Sequence, residues 1–184
     1  EQLEEKYPDI KVIAVDSLCA SLGEGMLVYN AALEKEKGRS IEEVAKWVED
    51  ERLHLCHWFT VDDLFHLKKG GRVSATKAMV GTMLGIKPVL HVDDEGKLIP
   101  IMNARGRKRS LEALADKMVQ TCVHPEEQMV FISHGDCSED AIALEKIIRE
   151  KMNVKDVVMN YIGPVIGSHS GPGTVALFFF GNIR

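Results

Sequence analysis

Short apolar, β-branched runs alternate with amphipathic segments along this chain, and that alternation constrains the fold more than any other feature. HLCHWFTV (54–61) and QMVFISHG (128–135) predict buried strands. Within SIEEVAKWVEDER (40–52), Ser40 and Glu43 form a capping box, and the apolar residues recur with helical spacing. Strands that alternate with helices predict an α/β protein containing a mainly parallel sheet.

The remaining segments extend the same pattern. Strands are predicted for KVIAVDS (11–17), for the two arms of a hairpin in 86–104, and for 154–163 and 173–181. Helices are predicted for 22–38, 62–69, 74–85, 110–122 and 137–151. We expect Gly70 to end one helix in a left-handed conformation and Asp136 to cap the start of another. A boundary within 54–74 predicts two units, residues 1–60 and 61–184.

Composition excludes several classes of function. The formal net charge of −5 argues against nucleic acid as the main partner, because phosphate binding needs a basic surface. The sequence has no apolar run close to the roughly 20 residues that span a bilayer, and it opens on an acidic, polar segment rather than a signal peptide. The four cysteines form no CxxC pair. Their arrangement predicts a reducing, cytoplasmic location.

Several catalytic and cofactor motifs are missing from the sequence. It contains no G-x-x-x-x-G-K-[ST] P-loop, no G-x-G-x-x-G and no G-x-S-x-G. His54 and His57 would point to opposite faces of a strand and therefore make no metal pair. We expect no cofactor, no metal and no ATP site of the chain's own.

The segment HSGPGTVALFFFG (169–181) is the strongest candidate site. Gly171 and Gly173 allow a close backbone approach and could leave amide N–H groups free for an anion, and His169 could donate to the same anion. Phe178 and Phe180 supply apolar surface beside this turn. A polar anchor next to an apolar wall predicts an amphipathic ligand with an acidic head. Because methionine adapts to flexible chains, the remaining pocket residues are predicted to be Met79, Met83 and Leu84.

Two basic motifs remain. In KKGGRVS (68–74), Arg72 either pairs with Asp62 or Asp63 or faces a ligand anion. In NARGRKRS (103–110), four basic residues precede a helix, where positive charge opposes the macrodipole. This conflict predicts either an anionic partner surface or a solvated basic face.

Four segments together resemble the DegV family. These are VDSLCASLGEGMLV (15–28), FTVDDLFHLKKGGRVS (59–74), GIKPVLHVDDEGKLIPIMNARGRKRSLEAL (85–114) and HSGPGTVALFFFG (169–181). They occur in the family's order over nearly the whole chain. The resemblance implies a two-lobed α/β fold: an incomplete N-terminal lobe with a parallel sheet, and a C-terminal lobe with a β-hairpin.

The resemblance also implies a function. DegV proteins bind a long-chain fatty acid, and several serve bacterial fatty acid kinase by presenting the acyl group to a separate ATP-binding kinase subunit and carrying the acyl-phosphate away. This places His169, Gly171, Gly173 and Arg72 near the acid head group. It places Arg105 and Arg107 on the surface that docks the kinase.

One departure from the family pattern bears on binding. The T-S-Q-P and S-G-T-Y segments, whose hydroxyls hold the carboxylate in the family, are missing from this sequence. We therefore expect an incomplete first lobe with an exposed sheet edge. Two alternatives remain: an independent small-molecule enzyme that uses His169 and the Gly-Pro-Gly turn as an anion site, and a regulatory binding protein.

Overall fold

A six-stranded mixed sheet forms the centre of the computed structural model, which describes residues 2–74 and 85–184. Its strands are β1 (Leu55–Thr60), β2 (Ile86–Val92), β3 (Leu98–Arg105), β4 (Met129–His134), β5 (Asp156–Tyr161) and β6 (Val175–Phe180). The described α-helices are α1 (Gln2–Lys6), α2 (Leu22–Glu36), α3 (Ile41–Glu51), α4 (Phe65–Lys69), α5 (Arg107–Thr121), α6 (Ser138–Lys151) and α7 (Pro164–Ser170). A 3₁₀ turn spans Pro125–Glu127.

The strand order is β3-β2-β1-β6-β4-β5. β1 lies in the interior of the sheet, antiparallel to β2 and to β6, and all six of its residues are buried. This explains its mainly apolar composition, because a strand covered on both faces has no solvent-facing side, and its two polar residues, His57 and Thr60, are hydrogen-bonded to backbone carbonyls. The parallel pairing among the described strands is β4 with β5. The α/β class is confirmed, with less parallel pairing than the alternation predicts.

Two apolar layers lie on opposite faces of the sheet. Along β6, Leu177 and Phe179 point into the layer formed with α5 and α6, whereas Ala176 and Phe178 point into the layer formed with α2 and α4. This is the alternation expected of a strand with period two. The face that carries Phe178 is the one that holds the candidate site.

The prediction of a strand at KVIAVDS (11–17) is wrong. Residues 11–20 form neither helix nor strand, and Val12 is 42% exposed. A strand forms only where a neighbouring strand satisfies its backbone groups, and no described strand pairs with this segment. The division after residue 60 stays a prediction, and the sheet formed by β1, β2 and β6 crosses it.

Local capping rules gave mixed results. The capping box of Ser40 and Glu43 is present at the start of α3, with both of its hydrogen bonds formed. Asp136 does not cap α6: the N-cap position is Cys137, whose side chain makes no capping hydrogen bond. Gly70 is right-handed (φ −77°), and the left-handed glycine is Gly71 (φ 72°). None of the described helices is long and apolar enough to cross a membrane.

Candidate ligand-binding cavity

A cavity of about 270 Å³ lies against the β1–β6 face that packs with α2 and α4. Its walls are mainly apolar, and the apolar side chains include Ala20, Phe59, Leu67, Val92, Leu98, Ile162, Val165, Ile166, Ala176 and Phe178. The polar side chains on the walls are those of Ser21, His57, Arg72, His169, Ser170 and Thr174. The volume is close to the lower end of the range for ligand pockets, and an apolar wall with few polar groups is typical of such pockets.

Two polar wall residues, His169 and Ser170, lie in α7, which packs against α4 and Gly70 through two histidine–glycine contacts. A Cβ built on Gly70 would lie 2.3 Å from Nδ1 of His169. A Cβ built on Gly171 would lie 2.4 Å from Cδ2 of His66. Each ring therefore occupies the space that a side chain at the opposite glycine would need. This reciprocal packing fixes the position of His169 on the wall.

Arg72 is adjacent to the same contact. Its Nη1 donates to Gly70 O at 2.6 Å, and the side chain lies on the cavity wall with an exposed surface. In the part of the chain that the structure describes, Arg72 forms no ion pair with Asp62 or Asp63. Asp62 instead accepts from Lys87 and Arg107. Among the described residues, the guanidinium contacts Gly70 O and no carboxylate, so its positive charge is available to a ligand anion.

Gly171 and Gly173 do not offer free amides, which corrects the prediction for the Gly-Pro-Gly turn. The Gly171 N–H donates to Gly167 O at 2.8 Å, and the Gly173 N–H donates to Gly135 O at 2.7 Å. The Gly135 N–H in turn donates to Thr174 O at 2.8 Å. These backbone bonds join the turn to the loop that follows β4. Both glycines have positive φ and meet close neighbours, so their role here is structural.

Arg107 anchors the same turn from the other side. Its Nη2 donates to Asp62 and to Gly173 O, and its Nε pairs with Asp140 Oδ2 at 3.0 Å. The side chain is only 19% exposed. Arg105, two residues earlier, is exposed at the end of β3. The structure therefore separates the two arginines of the basic motif into one engaged within the protein and one on the surface.

His57 is a buried part of the wall for which the sequence gave no functional signal beyond a rejected metal pair. Its Nδ1 lies 3.1 Å from Leu55 O, and since a carbonyl only accepts, Nδ1 carries the proton. Its ring meets Phe178 edge-on, with centroids 5.2 Å apart. Burial, with a contribution from the positive charge of Arg184, lowers the pKa of His57 to about 3. The imidazole is therefore neutral at pH 7.

The predicted pocket residues divide into three groups. Phe178 lies on the cavity wall. Phe180 does not: its ring packs edge-on against Trp47 of α3, with centroids 6.3 Å apart. Met79, Met83 and Leu84 lie outside the described residues. Sequence reasoning also missed Ser21, whose hydroxyl lies 3.0 Å from the hydroxyl of Ser133.

The cysteines show no sign of nucleophilic chemistry. Burial raises the pKa of Cys19 to about 11 and the pKa values of Cys56 and Cys122 to about 12. Burial likewise raises the pKa of Cys137. Since the thiolate is the reactive form, a raised pKa disfavours nucleophilic attack by these side chains at neutral pH.

Comparisons with known proteins agree on one family. The sequence model of the DegV family, described as uncharacterised proteins, matches residues 1–182. A DegV domain-containing protein of Clostridium perfringens is 52% identical over 184 residues, covering 100% of this chain and 63% of the relative. This chain therefore spans less than two thirds of the length of that relative.

Solved structures share the fold. A DegV lipid-binding protein from Thermotoga maritima is 32% identical, with a TM-score of 0.85 over 100% of this chain and 64% of that chain. A fatty acid binding DegV family protein from Streptococcus agalactiae is 28% identical, with a TM-score of 0.80 over 98% of this chain and 64% of that chain. The fatty acid kinase B3 protein of Streptococcus pneumoniae, loaded with linoleic acid, is 23% identical over 97% of this chain and 63% of that chain, and its TM-score of 0.86 shows likeness of fold. The match across nearly all of the sequence and the agreement in structure identify this chain as a member of the DegV family.

Proposed function

We propose that this chain is the larger part of a carrier protein that binds one long-chain fatty acid. The observation that carries the proposal is the cavity on the β1–β6 face, whose wall is apolar apart from a few polar side chains. An acyl chain fits such a wall because each buried CH₂ group stabilises the complex by about 0.8 kcal/mol. The lipid-binding and fatty acid binding relatives at 32% and 28% identity support the same ligand.

The carboxylate of the acid would lie toward His169 and Arg72. Arg72 contacts Gly70 O, and the His169 ring lies against Gly70, so the two side chains flank one residue on the cavity wall. Both side chains can donate hydrogen bonds to an anion, and the guanidinium is positively charged. Charge-assisted hydrogen bonds of this kind are stronger than neutral ones. The apolar wall and these donors together match a fatty acid better than a neutral lipid.

Within this proposal, the carrier acts as a subunit that presents the acid to a separate ATP-binding kinase and carries the acyl-phosphate. Arg105 supports this role because it is exposed, lies beside the N-terminus of α5 and makes no ion pair among the described residues. A protein with net charge −5 that keeps exposed basic residues at 105, 108 and 109 offers a local surface for an acidic partner.

The independent small-molecule enzyme is less well supported. Its anion site requires free amides in the Gly-Pro-Gly turn, and the amides of Gly171 and Gly173 are both engaged by backbone carbonyls. Such an enzyme would then have to stabilise the anion with side chains such as His169 and Arg72, without the backbone amides that such sites usually supply.

The test is lipid extraction of the purified full-length protein, followed by mass spectrometry. We expect one long-chain fatty acid per protein molecule. Ala176→Phe fills the cavity and should abolish binding of the fatty acid. Val119→Phe on α5, where the side chain is 48% exposed, is the control and should leave binding unchanged. A wild-type protein without bound acid and without saturable binding of added oleic acid would refute the carrier. Turnover of a phosphorylated metabolite without a kinase partner would favour the enzyme.

A further inference from the structure

The segment Asp16–Ser21 lies over the candidate cavity without belonging to a helix or strand, and we refer to it as the strap. Its last two residues, Ala20 and Ser21, form part of the cavity wall. The side chain of Leu18 lies close to Gly96, another wall residue: a Cβ on Gly96 would be 3.6 Å from Leu18 Cδ2. The strap is therefore one wall of the cavity.

The strap is held in a conformation that its own residues do not favour. Leu18 has φ 52° and Ser21 has φ 57°, and neither is glycine. Residues with a Cβ rarely adopt this left-handed region, because the Cβ approaches the backbone. The strap contains two hydrogen bonds of its own, from Leu18 N–H to Asp16 Oδ1 and from Cys19 N–H to Ser17 Oγ. Each joins residues only two positions apart. The conformation must therefore be maintained by contacts from outside the strap.

Such contacts in the described part of the chain include three hydrogen bonds. Arg52 Nη1 donates to Asp16 O at 2.6 Å, Arg184 Nη2 donates to Leu18 O, and the hydroxyls of Ser21 and Ser133 lie 3.0 Å apart. They fix the beginning, the middle and the end of the strap. No described strand pairs with it. Loss of one contact would therefore release the strap without breaking the sheet.

Of the two arginines that contact the strap, Arg184 is the more deeply buried. The residue is 7% exposed, and its Nε and Nη1 have no hydrogen-bond partner in the part of the chain that the structure describes. Burying a charged donor is costly unless it is hydrogen-bonded, so we expect the bond from the buried Arg184 to Leu18 O to matter more than the bond from Arg52, which is only partly buried. Arg184 also lies 3.8 Å from Cys19 Sγ, again within the strap.

We propose that Arg184 is a positioning residue that holds the strap closed over the cavity, so that detachment of the strap sets the rate at which a bound acyl chain leaves. The inference rests on the proposed function, because it assumes that the cavity holds a long-chain acid. Arg184 and the strap would then control how fast that ligand leaves the cavity.

The first test needs no ligand. In the full-length protein, Arg184→Met keeps the length of the side chain and removes the donors. We expect the amides of residues 17–21 to exchange hydrogen about tenfold faster in this variant, while the amides of β1 and β6 keep their protection; tenfold corresponds to about 1.4 kcal/mol. Arg149→Met is the matched control, because Arg149 pairs with Glu145 and Asp156 outside the strap.

The second test measures exchange of cis-parinaric acid, a fluorescent 18-carbon acid, by stopped flow. Arg184→Met should raise the dissociation rate constant of the acid about tenfold and change its association rate constant less. Arg184→Lys should give a dissociation rate constant between those of the wild type and Arg184→Met, because an ammonium can still donate to Leu18 O. Ser133→Ala should shift the dissociation rate in the same direction by a smaller factor.

The outcomes separate the two proposals. The positioning role is overturned if the amide hydrogens of residues 17–21 exchange at the wild-type rate in Arg184→Met. It is also overturned if the probe binds and dissociates from Arg184→Met at the wild-type rate. A wild-type protein that binds no probe contradicts the carrier, and the hydrogen exchange then decides the strap contact by itself. If Arg184→Met does not fold, the same measurements on Ser21→Ala and Ser133→Ala decide the question, with wild-type values counting against the proposal.

Discussion

The imidazole of His169 occupies the space where a side chain at Gly70 would lie, with only 2.3 Å between Nδ1 and an ideal Cβ at Gly70. A Cβ does not approach a non-bonded heavy atom this closely, so any substitution at Gly70 must displace the ring or the backbone at the end of α4. The glycine is thus needed for close approach and not for a left-handed conformation, since its φ is −77°.

Gly70→Ala should weaken fatty acid binding through His169. Because the new methyl group displaces the imidazole, we expect a loss of affinity of about tenfold, together with a destabilisation of about 1–3 kcal/mol from overpacking. The matched control is Gly163→Ala at the N-cap of α7, where φ is −61° and a Cβ would meet nothing within 4 Å. Calorimetric titration with oleic acid and urea unfolding measure the two effects. Wild-type affinity in a folded Gly70→Ala protein would disprove the prediction that a side chain at position 70 weakens binding by displacing His169.

His169→Ala should reduce affinity for the acid with little effect on stability. A lost charge-assisted hydrogen bond corresponds to about 1.5–3 kcal/mol of binding free energy. His54→Ala, which removes an exposed histidine from outside the cavity wall, serves as the control. If His169→Ala unfolds the protein while the folded fraction binds oleic acid normally, the residue is structural.

His57 should make the protein less stable in acid. Its pKa is about 3 in the folded protein against an ordinary value of 6.5, so between these values the unfolded chain binds a proton that the folded chain does not. The free energy of unfolding therefore falls as pH falls, by at most about 1.4 kcal/mol per pH unit from this residue. Urea midpoints between pH 4 and 7 should show a smaller slope in His57→Gln. Equal slopes in the two proteins would show that His57 takes up its proton while folded.

Arg107→Ala should destabilise the protein, whereas Lys108→Ala should not. Removing Arg107 takes away the partner that Asp140 and Gly173 O have among the described residues, and it removes the bonds that join α5 to the turn. Because the side chain is partly exposed, we expect about 1–2 kcal/mol. Lys108 is 86% exposed and is the adjacent control. Thermal and urea unfolding measure both variants, and equal stability would assign Arg107 to the surface instead.

Arg105→Ala should leave folding and fatty acid binding intact and slow acyl-phosphate formation with the kinase subunit. An exposed arginine contributes little to stability, but exposed charge steers encounter with an acidic partner. Added salt should therefore slow the wild-type reaction toward the rate of the variant. The measurement is acyl-phosphate formation by the full-length protein plus kinase across a salt series, with Arg149→Ala as the control. Wild-type rates for Arg105→Ala at every salt concentration would show that the basic residues around Arg105 form a solvated face without a docking role.

The sequence predicted most elements of the sheet correctly because their signals are local. The buried run at 54–61, the hairpin at 86–104 and the capping box of Ser40 and Glu43 depend on side-chain pattern and turn chemistry within a few residues. The segment HSGPGTVALFFFG pointed to two residues that line the cavity, His169 and Phe178, because both belong to one short motif.

Only the tertiary structure decided which partners those elements meet. KVIAVDS has the composition of a strand, but it joins no sheet among the described residues, and its continuation forms the strap, which is held by Arg52, Ser133 and Arg184 from distant parts of the chain. The amides of the Gly-Pro-Gly turn likewise looked free until their carbonyl partners were in place. Local pattern sets the conformational preference of a segment, whereas pairing between segments far apart in sequence settles where its polar groups are satisfied.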